Sequence, residues 1–541
     1  MRYSAYIAAL LLTLLAAAMV GTGHREWAWV LALAAPLAAI GTWDLLQTRH
    51  TLRRNYPLLA HFRYGLESIG PEIRQYFIES DIAETPFSRE QRALVYQRAK
   101  HVQDTVPFGT LHDVYDTSYE WINHSLQPSA IESHDFRVRV GGEGTTQPYD
   151  ASLFNISAMS FGSLSANAIR ALNKGAKLGR FYHDTGEGSI SPYHREFGGD
   201  LVWEIGSGYF GCRDDDGRFS EERFAKNATD PQVKMIEVKL SQGAKPGHGG
   251  VLPAAKVSRE IALTRGVLQG VDCISPARHT EFSTPIELLE FVARLRALAG
   301  GKPVGIKLAI GHPWEWFGLA KAMQRTGLLP DFIVVDGAEG GTGAAPAEFI
   351  EHVGVPMHEG LMLVHNTLVG LDLRARIRVA AAGKVVSAFD IARTLALGAD
   401  WTNAGRGFMF ALGCIQSMSC HTDRCPTGVA TQDPRRWRHL DVADKGNRVF
   451  MFQQNTLQAL RDLLCACGLA GPHELGPEHI LRRVSPVEVR SLGALYRFLA
   501  PGELLHDTPE HAVFKEFWGA SRPDSFDPPP RVAALRRAKF V

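Results

Sequence analysis

Two apolar runs open the chain, from about Ala5 to Val20 and from Trp27 to Trp43, with the polar joint Gly21-Thr22-Gly23-His24-Arg25-Glu26 between them. Each approaches the ~20 residues that cross a bilayer as a helix. The pattern predicts a transmembrane helical hairpin over residues 1–48. The alternatives are a signal peptide cleaved near Ala18 and a hairpin buried in protein; a second uncharged run following at once favours an anchor. Arg2 precedes the first run and Arg49, Arg53 and Arg54 follow the second, whereas Arg25 in the joint is balanced by Glu26. By the positive-inside rule both ends, and everything after residue 48, face the cytoplasm.

Residues 49–130 are polar, aromatic-rich and interrupted by Pro57, Pro71, Pro86 and Pro107. They read as a connecting subdomain with one helix over Ser88 to Gln103. From residue 150 short β-rich runs alternate with helical stretches, the pattern of parallel βα units. Eight strands are predicted: Leu153 to Met159, Phe181 to Asp184, Met235 to Leu240, Asp272 to Ser275, Val304 to Leu308, Phe332 to Val335, Ile377 to Ala381 and Trp401 to Ala404. Eight closes a (β/α)8 TIM barrel, placed over residues 131–470, with a helical extension and tail over 471–541. Helices are expected over Pro285 to Ala299 and Ser387 to Leu397, the latter with its serine as N-cap. The stretch Gly188 to Lys234 exceeds an ordinary βα loop and reads as an excursion. Its Asp214-Asp215-Asp216-Gly217 lacks the alternating oxygens and closing Glu of a calcium loop, so it reads as a solvated turn. The glycine-rich words follow the strands, on the face where barrel active sites lie.

With 541 residues, 45% of them hydrophobic, the chain can bury a large core, and its length suggests two to four domains. A net charge of +1 argues against a nucleic-acid partner. Seven cysteines without regular spacing point to a reducing compartment.

The chemistry concentrates in Cys414-x5-Cys420-x4-Cys425-Pro426. Three thiolates this close invite a soft metal. Structural zinc favours paired Cys-x2-Cys knuckles, whereas iron-sulfur clusters accept looser loops and often a proline after the last cysteine; buried apolar cysteines are the remaining alternative. Cys465 and Cys467, two apart in a helix, point to different faces and are not expected to add a ligand. The loops after the last two strands, Ala382-Gly383-Lys384 and Gly405-Arg406-Gly407, offer close backbone approach and positive charge to a phosphate. Lys307 stands on an otherwise apolar strand and needs a partner: the pyrimidine edge of a flavin, or an internal salt bridge. No strand-then-Gly-x-Gly-x-x-Gly fingerprint appears, so a dinucleotide would be oxidised elsewhere.

The segment Gly413 to Gln432 resembles the cluster loop of the glutamate synthase large subunit. So do Ile156-Ser157-Ala158-Met159-Ser160-Phe161-Gly162-Ser163, Thr185-Gly186-Glu187-Gly188, Gln242-Gly243-Ala244-Lys245-Pro246-Gly247 and Gly340-Gly341-Thr342-Gly343-Ala344, in the family's order. The resemblance implies a 3Fe-4S cluster on Cys414, Cys420 and Cys425. It implies FMN held by Met159, Ser160, Gln242, Lys307, Gly340, Gly341, Thr342, Gly343, Gly383, Lys384, Gly405 and Arg406. It implies 2-oxoglutarate over the flavin, met by Glu187, Lys245 and Arg265, in an oxidoreductase of the CH-NH2 class. Two departures are visible. His248-Gly249-Gly250-Val251 stands where the family has Glu-Gly-Gly-Gln, which opens the pocket to other 2-oxoacids. The chain starts Met-Arg-Tyr rather than with a catalytic cysteine, so the glutaminase is expected to be missing, and the stretch after residue 480 is too short for the family's C-terminal Gly-rich domain. Nitrogen would then come from ammonia or an amine and electrons from a separate protein, with membrane lipid around the hairpin. An electron-transfer module without oxoacid chemistry is the alternative, and a scaffold built on a degenerate barrel a third.

Overall fold

The computed structural model describes residues 2–80, 82, 85–102, 104–506 and 509–538, in two compact units, residues 1–85 and residues 86–541.

In the first unit α1 (Ser4–Gly21) and α2 (Ala28–Leu46) form a hairpin. The two apolar stretches, 18 and 22 residues, are long and apolar enough to cross a membrane. Their contact is made of small residues, Ala9, Ala16, Ala34, Ala38 and Gly41, all buried, while leucines point outward. Small side chains let two helix backbones approach closely; at Gly41 there is room only for the Tyr6 ring, whose hydroxyl meets Thr42 Oγ1 at 3.0 Å. After the short helical stretch Thr51–Asn55 comes a longer helix, α3 (Leu59–Ile73), which runs through Pro71.

The second unit begins with α4 (Arg89–Lys100), started by a reciprocal Ser88–Gln91 capping box. The expected helix over Ser88 to Gln103 thus stops at Lys100; Gln103 itself lies outside the described residues.

Eight parallel strands then close a barrel: β1 (Phe154–Ile156), β2 (His183–Asp184), β3 (Leu201–Ile205), β4 (Val233–Lys239), β5 (Val304–Leu308), β6 (Phe332–Asp336), β7 (Arg378–Ala382) and β8 (Trp401–Ala404). They pair in chain order, and Thr402 against Phe154 closes the ring. The eightfold count is right, but two memberships change. Leu201–Ile205 lies within the expected excursion and is β3, every residue buried. Cys273–Ile274 is not in the barrel; it pairs antiparallel with Val251–Leu252 in a two-stranded ribbon. That ribbon lies between β4 and β5 in the chain, so Gln242 follows the fourth strand rather than the third.

The helices start where capping residues direct them. Thr284 and Glu287 box the start of Pro285–Leu298, and Ser387 Oγ accepts from Asp390 N at 3.0 Å at the start of Ala388–Ala396. After β1, α5 (Ala166–Gly179) packs on α6 (Val442–Ala466) at Gly175, where a Cβ would overlap Val449. Cys465 lies in the last turn of α6 and Cys467 just beyond it; the Cys465 carbonyl accepts from Ser129 N.

Phe408, fully buried, stacks on Phe154 and Phe181 (5.2 and 5.8 Å between centroids) and meets Phe452 edge-on at 5.2 Å. It joins β1, α6 and the segment after β8. Phe408→Ala is expected to cost about 3–5 kcal/mol of barrel stability, read as a lowered urea midpoint of the barrel's unfolding.

Candidate functional site

The segments after the strands meet at one end of the barrel. Glu187, three residues beyond β2, is half-buried, and its Oε1 lies 3.0 Å from Nζ of Lys239, the last residue of β4. Lys239 also donates to Gln242 Oε1 at 2.7 Å. Burial would raise the Glu187 carboxyl, but Lys239, then Arg265 and Lys245, hold it below the usual carboxylate range. Gly206 and Gly250 leave this carboxylate its space: a Cβ at either would overlap it. Glu187, Ser207, Lys239, Gln242 and His248 face one small cavity.

Lys245 and Arg265 come to the same acid from different elements. Lys245 Nζ donates to the Ala344 carbonyl at 2.9 Å. Burial, and then Lys239, pulls its ammonium down to about 8, against the pull of Glu187. Arg265, at the end of the helix Arg259–Arg265, donates to Phe161 O (3.0 Å) and Ser160 Oγ (3.2 Å), and lies over the Phe210 ring. Its Nε is buried without a partner. Val251, at the departure from the family's word, sits in the two-stranded ribbon opposite Ile274.

Beneath this mouth four buried charges converge from adjacent strands. Lys307 Nζ on β5 lies 2.7 Å from Glu204 Oε2 on β3 and 3.8 Å from Glu237 Oε1 on β4. Burial disfavours the lysine's charge, yet Glu204 and Glu237 outweigh it and raise its pKa. Burial, then Glu204, pushes Asp184 up; burial, then Asp184, pushes Glu237 up. Asp184, Glu204 and Glu237 are close enough to share a cation, but the lysine already occupies that electrostatic role. The internal salt bridge expected as one alternative for Lys307 is therefore formed.

The phosphate-loop residues also come together. Arg406 donates to the Glu339 carbonyl at 2.6 Å, and a Cβ on Gly341 would press on its guanidinium. Burial pulls Arg406 down to about 10, with Asp336 and Glu339 opposing. Burial, then Arg406, also lowers Lys384. The Glu339 carboxylate is engaged by Met357 N at 3.0 Å. A Cβ at Gly383 would press on Met357 and Glu339, and one at Gly405 would reach Met159. Two cations share one capped acid in a glycine-lined cradle, a composition that fits a phosphate.

The cysteine loop is shaped by backbone that few residues adopt: Gln416, Met418 and Asp423 all have positive φ. Tyr96 on α4 donates to Cys414 O at 2.6 Å, and Gln416 donates to Phe87 O at 3.1 Å. Burial pushes Cys414 up to about 12. Burial and then Cys425 raise Cys420, while hydrogen bonds from Thr427, Ala430 and Val429 overcome burial and lower Cys425. Cys414 feels both other thiols and Cys420 feels Cys425, and N-H donors are aimed at Cys414 and Cys425, a donor set that fits a thiolate-held cluster. Gln432 ties the loop to the segment after β1 through Gly162 O (3.0 Å) and Leu164 O (2.9 Å). Buried Lys256 donates to Ser163 O at 3.1 Å and feels Cys420 and Cys425.

The residues missed in the sequence are Lys239, Glu204, Glu237 and Lys256. Lys239 closes a strand that also holds Lys234 and Glu237, so it did not stand out as Lys307 does on Val-Gly-Ile-Lys-Leu.

Residues 124–470 match the conserved region in glutamate synthase. The glutamate synthase large subunit-like protein YerD of Bacillus subtilis (strain 168) is 39% identical over 481 residues, 81% of this chain and 91% of that protein. An archaeal-type glutamate synthase (NADPH) of Thermotoga maritima is 33% identical over 341 residues, 62% of this chain and 64% of the relative.

Lys245 generates a pH prediction. The free site releases this proton near pH 8, whereas a bound carboxylate favours the charged form. Affinity for a dicarboxylate such as 2-oxoglutarate should therefore fall as pH rises through about 8, and level off once the liganded site has also lost the proton. Lys245→Arg should remove that decline. Calorimetric titration from pH 6.5 to 9.5 measures it; a flat profile for the native chain would exclude Lys245 as an anion partner.

Proposed function

Since this chain belongs to the glutamate synthase family, we propose that it is an FMN and 3Fe-4S oxidoreductase reducing an imine formed from a 2-oxoacid and ammonia or an amine. The 2-oxoacid is 2-oxoglutarate or a relative with a different tail. One observation carries this reading: Glu187 is matched by three cations, Lys239, Lys245 and Arg265, at the barrel mouth. Neutralising the acid leaves a surplus of about two positive charges, the complement of a dicarboxylate.

Arg265 and Lys245 approach from separate elements and would hold two carboxylates apart in fixed orientation. Glu187, kept ionised by its neighbours, would draw the nitrogen of the amine or iminium toward it and hold a proton at its carboxylate. FMN, when bound, supplies the hydride to the imine carbon. Met159, Ser160 and Gln242 would hold its ring, and Gly340, Gly341, Thr342, Gly343, Gly383, Lys384, Gly405 and Arg406 its phosphate. Lys307 keeps the role of a cation near the pyrimidine edge, anchored from beneath by Glu204. Cys414, Cys420 and Cys425 would hold the cluster, which supplies electrons one at a time from a separate donor protein. The two apolar helices would anchor the chain in the cell membrane with the barrel on the cytoplasmic side, as the arginines around them favour.

The test is anaerobic. Protein purified in detergent and photoreduced should be reoxidised by a 2-oxoacid together with ammonia or methylamine. Arg265→Ala or Lys245→Ala leaves a carboxylate unpaired, a loss of about 2–5 kcal/mol, so oxoacid affinity should drop by more than about tenfold. Glu187→Gln should lower turnover more than binding. If no oxoacid perturbs the flavin spectrum while artificial acceptors still drain the electrons, the chain is an electron-transfer module instead. Serine at Cys414, Cys420 or Cys425 should each abolish the paramagnetic signal of an oxidised 3Fe-4S cluster; its survival in all three variants would remove the cluster assignment.

A further inference from the structure

We propose that α3 and the wider helical turn after it, Arg74–Ile78, lie along the membrane surface, with one apolar stripe in the lipid boundary and the polar face in water. This rests on the reading that α1 and α2 cross that membrane.

The stripe is Leu59, Phe62, Leu66, Ile69 and Ile73, steps of three and four that put all five on one face, and Phe77 continues it. All six are exposed, Phe62 at 73% and Phe77 at 85%. On the other side of α3, Arg63 pairs with Glu67 at 2.7 Å, and Ser68 and Glu72 are also exposed, while Tyr76 and Ile78 add exposed apolar bulk in the turn that follows. Only the start of α3 is packed, where Ala60 is buried. A helix of this length without tertiary cover is marginal in water. An amphipathic face beside an apolar hairpin has its cover at hand in the lipid interface.

The junction with the hairpin is fixed. Asp44, near the end of α2, is fully buried; His61 Nε2 lies 2.9 Å from both its oxygens, and Leu58 N donates to it at 3.1 Å. This clasp holds the start of α3 beside Trp43 and Leu46, which are themselves exposed apolar residues at the end of the apolar run. An aromatic side chain at that level is typical of the membrane boundary. Arg49 and Arg54, exposed between the two helices, suit anionic headgroups. Charge, continuity with the hairpin and the clasp all favour the bilayer over a protein partner.

The full chain can be tested in native membranes. A photo-crosslinking residue, p-benzoylphenylalanine, is placed at Phe62, at Phe77 or, as the polar-face control, at Arg63. Phospholipid adducts are expected on peptides carrying position 62 or 77, and a loss of that adduct at position 63. Cross-links from 62 and 77 to a polypeptide, whether a partner or this chain's own barrel, would overturn the surface helix while leaving the anchor intact. Recovery of the whole chain in the soluble fraction would overturn anchor and surface helix together.

Discussion

A carboxylate buried at the mouth of a barrel is costly unless charge is returned to it, and Glu187 obtains that return from Lys239 at 3.0 Å, with Arg265 and Lys245 beyond. Much of the local chain follows from this requirement. Gly206 and Gly250 must be glycine because a side chain would occupy the carboxylate's space. Lys239 must end β4 and Gln242 must turn back toward it. A second constraint of the same kind lies one level deeper, where Lys307 is shared by Glu204 and Glu237. With acids outnumbering the lysine, burial and mutual repulsion raise Asp184 and Glu237 toward the protonated form.

Much of this was legible from the chain. Seven of the eight barrel strands follow from short β-rich runs between helical stretches, and the helix starts expected at Ser88, Pro285 and Ser387 fall where the structure has them, with Ser387 as N-cap. Leu201–Ile205 was not legible because Glu204 interrupts its apolar run and it follows β2 after only a four-residue helix, Pro192–Arg195. Cys273–Ile274 looked equally strand-like because a run of residues states its preference for extended backbone but not its partner. The site divides the same way. Glu187, Lys245 and Arg265 stand in motifs, and the structure gathers them; Lys239 and Lys256 carry no motif of their own and gain meaning only from what the fold brings beside them.

The N-terminal unit obeys a different solvent logic from the barrel. In the barrel unit large apolar side chains are inside and the cavity is polar. In the hairpin, alanine and glycine are inside and leucine is outside. The inversion is what a helix pair requires when its surroundings are as apolar as leucine itself. Asp44 is the exception, and its charge is met by His61 and the Leu58 amide.

The segment after β1 is held from two sides. Arg265 grips Ser160 and Phe161, while Gln432 and Lys256 grip Gly162, Ser163 and Leu164. Five consecutive residues therefore separate the anion side from the cysteine side, and a side chain added at Gly162 would meet Leu252 and Arg265. Such a clamp couples its two sides: any displacement of the cysteine loop that withdrew Gln432 would loosen the same five residues from which Arg265 takes its two acceptors.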